Sequence, residues 1–192
     1  MTRDDLLSLY RQSGALLEGH FRLTSGLHST GYLQCALVLQ HPQHAETLGR
    51  AIAERTRDLR PTVVLSPALG GLIIGHEVAR GLGVRAIFAE RQDGALTLRR
   101  GFFLDPADRV LVVEDVLTTG GSTRETMEVA KAAGGQVVGA ASIVNRSGGT
   151  AAFDVPLVSL LDIALPTYQP DACPLCAQGL AVVKPGSRPT PQ

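Results

Sequence analysis

Two adjacent carboxylates, Glu114 and Asp115, close an otherwise apolar run, Val110-Leu111-Val112-Val113. A small segment rich in hydroxyls and glycine follows them: Val116-Leu117-Thr118-Thr119-Gly120-Gly121-Ser122-Thr123. Glycines let backbone N–H groups converge on an anion, and a helix opening at Ser122 adds unpaired donors and a favourable dipole. Thr118, Thr119, Ser122 and Thr123 supply hydroxyls, so the segment predicts a phosphate cradle. The acids suit another task, because like charge keeps them off the phosphate. One short loop away they can accept hydrogen bonds from the vicinal hydroxyls of a ribose, steady a Mg²⁺ ion, or face a developing positive charge. Phosphate at one end and diol at the other describe a ribose 5-phosphate.

The bland alternative is a plain strand-to-helix turn with Ser122 as its cap. It accounts for the serine but not for two acids ending an apolar strand. The segment lacks the lysine of a Walker loop and the Gly-x-Gly-x-x-Gly spacing of a dinucleotide fold, so those competitors fail.

Such a loop works only if rigid elements aim it. Residues 109–114 read as a buried strand, 122–133 as a helix ended by Gly134-Gly135, and 137–144 as the next strand. Upstream, 62–65 predicts a strand, Gly70-Gly71 opens a helix through Arg80, and Gly81 and Gly83 close it before a strand over 84–89. Strands alternating with single helices imply parallel pairing through right-handed crossovers. Between these strands, Asp93-Gly94 marks a tight hairpin whose base carries Arg91, Arg99 and Arg100. Nearer the N-terminus, residues 3–13 predict an amphipathic helix with Leu6, Leu7, Leu9 and Tyr10 on its apolar side and Gly14 as its stop. Residues 21–33 suggest a short hairpin, and Pro42 begins a helix running to about Arg57. Beyond Pro166 the chain is proline-rich and irregular.

The 192 residues suffice for one substantial core, and 44% apolar content fits a packed globular chain. Eighteen basic and eighteen acidic side chains cancel, which argues against a broad cationic surface for nucleic acid. Trp is absent and aromatics are only 4%, which argues against a base-stacking platform. No run approaches the roughly 20 apolar residues of a membrane span. With no secretion signal at Met1 and only three cysteines, a reducing cytoplasm is expected.

The apolar strand, acid pair and Thr/Gly/Ser loop together resemble the signature of the phosphoribosyltransferases that use phosphoribosyl pyrophosphate. Further segments resemble the orotate phosphoribosyltransferases. These are Phe21-x-Leu23-x-Ser25-Gly26-x-x-Ser29-x-x-Tyr32, Ser66-Pro67-Ala68-Leu69-Gly70-Gly71, Val144-Asn145-Arg146, Pro170-Asp171-x-Cys173-Pro174-Leu175-Cys176, and Lys184-Pro185-Gly186-Ser187-Arg188. The resemblance implies an α/β fold of the type I phosphoribosyltransferase kind, a mostly parallel central sheet flanked by helices, in one domain over residues 1–192. Its core would span about 43–165, and a small hood would come from about 14–41 and 166–188. A flexible hairpin would protrude at about 90–101, and 186–192 would form a loose tail.

The resemblance also implies roles. Glu114 and Asp115 hold the ribose hydroxyls and face the reacting ring, while Val116, Leu117, Thr118, Thr119, Gly120, Gly121 and Ser122 wrap the 5-phosphate. Gly70 and Gly71 offer amides to the pyrophosphate, with Arg91 beside them. Arg146, Tyr32 and Thr118 meet orotate, whose carboxylate a guanidinium fork can bind through two parallel hydrogen bonds. Mg²⁺ is carried mainly by the substrate, and the enzyme is a homodimer with shared sites. Its partners are phosphoribosyl pyrophosphate and orotate. The product is orotidine 5-phosphate, a step in making UMP. There are departures: Thr24 stands where many members have a lysine, and the hairpin has Gln92 after Arg91 and neither Lys nor His. Arg91, Arg99 and Arg100 either replace that charge or are strand-edge charges that discourage edge pairing.

Two other functions stay open at this level: transfer to a purine or other base, and a non-catalytic sensor of phosphoribosyl pyrophosphate with the same fold. A sensor is expected to carry a DNA-binding extension, for which a first helix starting near Met1 leaves no room. Cys173 and Cys176 have zinc-ligand spacing, but a tetrahedral site needs four ligands. Cys35 and a distant histidine are candidates to complete it, and buried or strand-edge thiols are the simpler reading. His76 is expected to pack within its helix. His20, His28, His41 and His44 form no motif, although His28 lies in the segment expected near the substrate.

Overall fold

The computed structural model describes residues 1–23 and 26–185; Thr24 and Ser25 of the N-terminal motif, and the expected tail at 186–192, lie outside the described residues. In chain order the elements are α1 (Arg3–Gln12), β1 (Leu16–Arg22), β2 (His28–Leu33), α2 (Ala36–Leu39), α3 (Pro42–Thr56), β3 (Val63–Pro67) and α4 (Gly71–Leu82). They continue with β4 (Arg85–Gln92), β5 (Ala95–Leu98), β6 (Arg109–Leu117), α5 (Gly121–Ala132), β7 (Gln136–Asn145), β8 (Leu157–Asp162), β9 (Thr167–Tyr168) and α6 (Pro174–Ala177).

Short, continuous apolar runs become strands buried on both faces, and the period of two divides them between two cores. Val63 and Leu65 of β3, with Val110 and Val112 of β6, face Met127 and Ala130 of α5. Val64, Leu111 and Val113 face Leu48 and Ile52 of α3 and Ile74 and Val78 of α4. Each fully buried Leu or Ile contributes about 1.5–3 kcal/mol relative to an exposed one. The sheet order is β5-β4-β3-β6-β7-β8. All neighbours pair in parallel except β5, which folds back on β4 as the edge hairpin. Asp93 (φ 52°) and Gly94 (φ 89°) supply the two positive φ angles of its two-residue turn.

Several boundaries differ from the sequence expectation: the N-terminal hairpin begins at Leu16 rather than 21, β4 runs on to Gln92 rather than ending at 89, and α5 begins at Gly121 rather than Ser122. β6 continues past Glu114 to Leu117, because β7 offers register partners as far as Asn145. β8 is an additional parallel strand beyond β7, joined to it by a glycine- and proline-containing connection rather than a helix. Without the strand-helix rhythm, its Leu157-Val158-Ser159-Leu160-Leu161 run carries no periodic signal.

α3 and α4 pack closely. A Cβ on Gly49 would lie 2.4 Å from Glu77 Cβ and 2.7 Å from its backbone carbon. Above the C-terminal ends of the strands lies a second, three-stranded sheet, β1-β2-β9, drawn from both ends of the chain. The C-terminal stretch returns to it: Val183 N–H donates to His20 O, and Arg22 N–H donates to Val183 O, each at 2.8 Å.

Candidate functional site

Alternation along β6 aims the acid pair. Glu114 continues the row of Val110 and Val112 toward α5, and Asp115 continues the row of Leu111 and Val113 toward α4. Each acid then meets the start of the helix on its own side. Ser122 Oγ donates to Glu114 Oε2 at 2.9 Å. On the opposite face the Asp115 carboxylate lies against Gly70 and accepts from Val116 N–H at 2.8 Å. The acids therefore straddle the end of the sheet. Glu114 is only 6% exposed, and burial, with Asp115 beside it, pushes its carboxyl up to about 8 against the opposing pull of the Ser122 hydrogen bond.

The two helices that meet the acids begin without side-chain caps. Their N-caps are Gly70 and Gly120, whereas α1 has a full capping box from Thr2 and Asp5. Ser122 sits inside the first turn of α5, so it is not the cap. Uncapped first turns leave N–H groups free to receive anions. Gly120, at φ 76°, turns the loop into the helix. Among the described residues, no protein acceptor meets the amides of Thr118, Thr119 or Gly120. Arg124, which sequence reasoning passed over, donates from Nη1 to Thr119 O at 2.8 Å and ties down that carbonyl. Leu117 is 1% exposed and its carbonyl accepts from Arg146 N–H at 2.7 Å, so its side chain and carbonyl serve the strand.

That last bond places Arg146 beside the loop. Arg146, Tyr32, Thr118, Thr119 and Leu27 line one cavity of about 530 Å³. Arg146 Nε is buried with no hydrogen-bond partner among the described residues. Burial pushes this guanidinium below its ordinary value, with nearby Tyr32 and Cys35 working the other way. A desolvated cation with an unsatisfied N–H is costly, so the cavity is complementary to an anionic group. The turn carrying Arg146 is pinned by Asn145, which donates from Nδ2 to Asp162 Oδ1 at 2.8 Å and accepts from Ser147 N–H at 3.0 Å. Asp162 belongs to β8, a strand without a flanking helix, so no local pattern points to it.

The hairpin arginines are engaged within the chain. Arg91 pairs with Glu125 of α5 at 2.7 Å, Arg100 with Glu90 at 2.9 Å, and Arg99 with Glu90 at 3.7 Å. In this conformation they brace the edge strand. His76 is exposed rather than packed and lies 3.6 Å from Glu77. Cys35 sits under β6, where its Sγ lies 3.0 Å from Tyr10 Oη and 4.0 Å from Asp115 O, away from Cys173 and Cys176. His28 turns from the cavity toward His20 and those two cysteines.

Residues 36–166 match the family model of the phosphoribosyl transferase domain. The chain is 54% identical over 188 residues to an orotate phosphoribosyltransferase of Pelotomaculum thermopropionicum, covering 98% of this chain and 99% of that one. It is 51% identical over 192 residues to the orotate phosphoribosyltransferase of Chlorobaculum parvum, covering 100% of both. Among solved structures, the orotate phosphoribosyltransferase of Mycobacterium tuberculosis H37Rv in complex with Fe(III) dicitrate superposes with a TM-score of 0.72 at 28% identity, covering 83% of this chain and 95% of that one.

Proposed function

The chain belongs to the orotate phosphoribosyltransferases of the phosphoribosyl transferase domain family, and from that premise we propose how its own residues carry the reaction. The enzyme transfers the 5-phosphoribosyl group from phosphoribosyl pyrophosphate to orotate, giving orotidine 5-phosphate and pyrophosphate, a step of pyrimidine biosynthesis. The observation that carries the assignment of roles is Arg146, a half-buried guanidinium whose Nε has no hydrogen-bond partner among the described residues, in a cavity that opens on the uncapped loop of α5. A planar guanidinium matches a planar carboxylate in two parallel hydrogen bonds, and Tyr32 and Thr118 share the same cavity.

The amides of Thr118–Gly121 and the Ser122 end of the loop receive the 5-phosphate, and the amides at Gly70 and Gly71 receive the pyrophosphate. Glu114 and Asp115 flank the ribose. A pyrimidine nitrogen attacks C1, the new N–C1 bond forms as the C1–O bond breaks, and the electron pair leaves with the pyrophosphate. Positive charge gathers on the ring in that transition state, between the two acid side chains, and favours the ionised form of Glu114, so catalysis is positioning and electrostatics rather than covalent attack by the protein.

Mg²⁺ brought by the substrate supplies neutralising charge to the pyrophosphate. The carboxylates of Glu114 and Asp115 are hard oxygen donors of the kind it takes. Their directions toward opposite faces favour a cation carried by the substrate over one held by both acids at once. Homodimerisation with shared sites, and a cytoplasmic location, complete the proposal; the first is supported by the family resemblance and the second by the low cysteine count. Among the described residues, no helix is long and apolar enough to cross a membrane.

Incubation with phosphoribosyl pyrophosphate, Mg²⁺ and orotate, adenine or xanthine in separate reactions tests the acceptor. Loss of orotate alone is expected. Turnover of a purine with orotate untouched would overturn the assignment, and inertness toward every base would favour a sensor.

A further inference from the structure

Outside the site just described, the fold gathers four side chains with no part in that chemistry. His20 comes from β1, His28 from the start of β2, and Cys173 and Cys176 flank and lie in α6, some 150 positions later in the chain. One ligand atom from each lies within 4.8 Å of the other three. His20 Nε2 is 2.9 Å from His28 Nδ1, 3.5 Å from Cys173 Sγ and 3.7 Å from Cys176 Sγ, while Cys176 Sγ is 3.3 Å from His28 Nδ1. Zinc bonds of about 2.0–2.1 Å to nitrogen and 2.3 Å to sulfur give a tetrahedron whose N–S edges are about 3.5 Å and whose N–N edge is about 3.3 Å. The cluster is already close to those dimensions. We propose that His20, His28, Cys173 and Cys176 bind a structural zinc ion that fastens the C-terminal segment to the β1–β2 hairpin.

Three further observations point the same way. His20 Nδ1 lies 2.9 Å from Leu180 O, so the ring donates its N–H to that carbonyl and turns the Nε2 lone pair into the cluster. A backbone partner of this kind fixes the tautomer and orientation of metal-binding histidines. His20, His28 and Cys173 are 5%, 7% and 3% exposed and Cys176 stands at the exposed edge of the cluster, so four protein ligands are at hand for a tetrahedral site. Two thiolates neutralise a divalent charge, and soft sulfur with imidazole selects zinc over the Mg²⁺ of the reaction.

The site has a mechanical consequence. Beyond Cys176 the chain runs back along β1, where Val183 bonds to His20 and Arg22. The hairpin between the two histidines carries Leu23 and Leu27, which line the cavity of Arg146. The ion therefore braces the roof of the acceptor pocket from a place that touches neither substrate.

The protein purified without chelator is expected to carry one zinc ion per chain by mass spectrometry of its metals. After exchange for Co²⁺ it should show tetrahedral d–d bands together with a thiolate-to-cobalt charge-transfer band. Cys173→Ser with Cys176→Ser, or His20→Ala, should reduce metal to background, and Cys35→Ser should leave it unchanged. A wild-type protein that takes up neither zinc nor cobalt overturns the proposal, as does a Cys173–Cys176 disulfide in metal-free protein or metal retained by the double serine variant. The cobalt spectrum is read on the wild type, so it decides the matter even where a variant fails to fold.

Discussion

Gly70 and Asp115 approach so closely that a methyl group does not fit between them: a Cβ on residue 70 would lie 2.7 Å from Asp115 Oδ1 and 3.0 Å from its Cγ. Gly70 is the N-cap of α4 just beyond β3, Asp115 lies near the C-terminal end of the neighbouring β6, and the contact fixes the spacing of the two connections.

Gly70→Ala tests that spacing. The group that must yield is the end of a side chain, so the melting temperature should move by no more than about 2 °C. The displaced carboxylate should lower kcat/KM about 10- to 100-fold. Gly49→Ala gives the contrast, because its Cβ would strike the Glu77 backbone; there a loss of about 1–3 kcal/mol in stability is expected. Chemical denaturation alongside steady-state kinetics separates the two, and equal destabilisation by both substitutions would refute the distinction.

Glu114→Gln tests the buried acid. Its carboxyl sits at about 8 in the folded protein against an ordinary 4.5, so the folded state holds the proton more tightly than the unfolded chain. The penalty is absent below pH 4.5, grows as pH rises between the two values, and is fully present above pH 8. Thermal melts should show the variant gaining several degrees over wild type at alkaline pH and no gain at acid pH, while kcat/KM falls about 100-fold. A stability difference that is constant with pH would contradict this.

Arg146→Ala should raise KM for orotate about 100-fold while leaving phosphoribosyl pyrophosphate affinity nearly unchanged. Stability should hold or improve, because the substitution removes a desolvated cation whose Nε has no partner among the described residues. Isothermal titration with each substrate reads the split; the reverse pattern would reject the assignment of this arginine to the acceptor.

Much of the core was legible because its signals are local. Continuous apolar runs give β3, β6 and β7, Gly70-Gly71 marks the helix start at 71, the helix expected from Ser122 begins one residue earlier, and Asp93-Gly94 marks the edge turn. The loop proposed to take the 5-phosphate lies in one contiguous segment, so the proposal could be made from the sequence alone. What escaped depends on strands meeting across the sheet. The opposite facing of Glu114 and Asp115 follows only once β6 is known to continue to Leu117. Asp162 steadies Arg146 from a strand without a flanking helix, and two histidines reach two cysteines only after both chain ends join the small sheet. The hairpin arginines could not be assigned either, because their partners Glu90 and Glu125 are set by register and by packing against α5.

The arginines also give a test of sharing between subunits. Release of Arg99 and Arg100 from Glu90 would free charge for a partner's pyrophosphate. Mixing Glu114→Gln/Asp115→Asn subunits with Arg99→Ala/Arg100→Ala subunits should then restore about a quarter of wild-type activity on statistical pairing, with each site counted separately. Activity no greater than the sum of the two parents would mean that each subunit works alone.

β3 and β6 are adjacent, yet their helices leave toward opposite faces of the sheet, α4 to one core and α5 to the other. Two uncapped helix starts therefore converge on one crevice from either side, like the jaws of a vice. A ligand with an anion at only one end engages a single jaw. One with anions at both ends gains the second contact at the high local concentration set by its own short tether, so the doubly phosphorylated sugar should bind far more tightly than either of its halves.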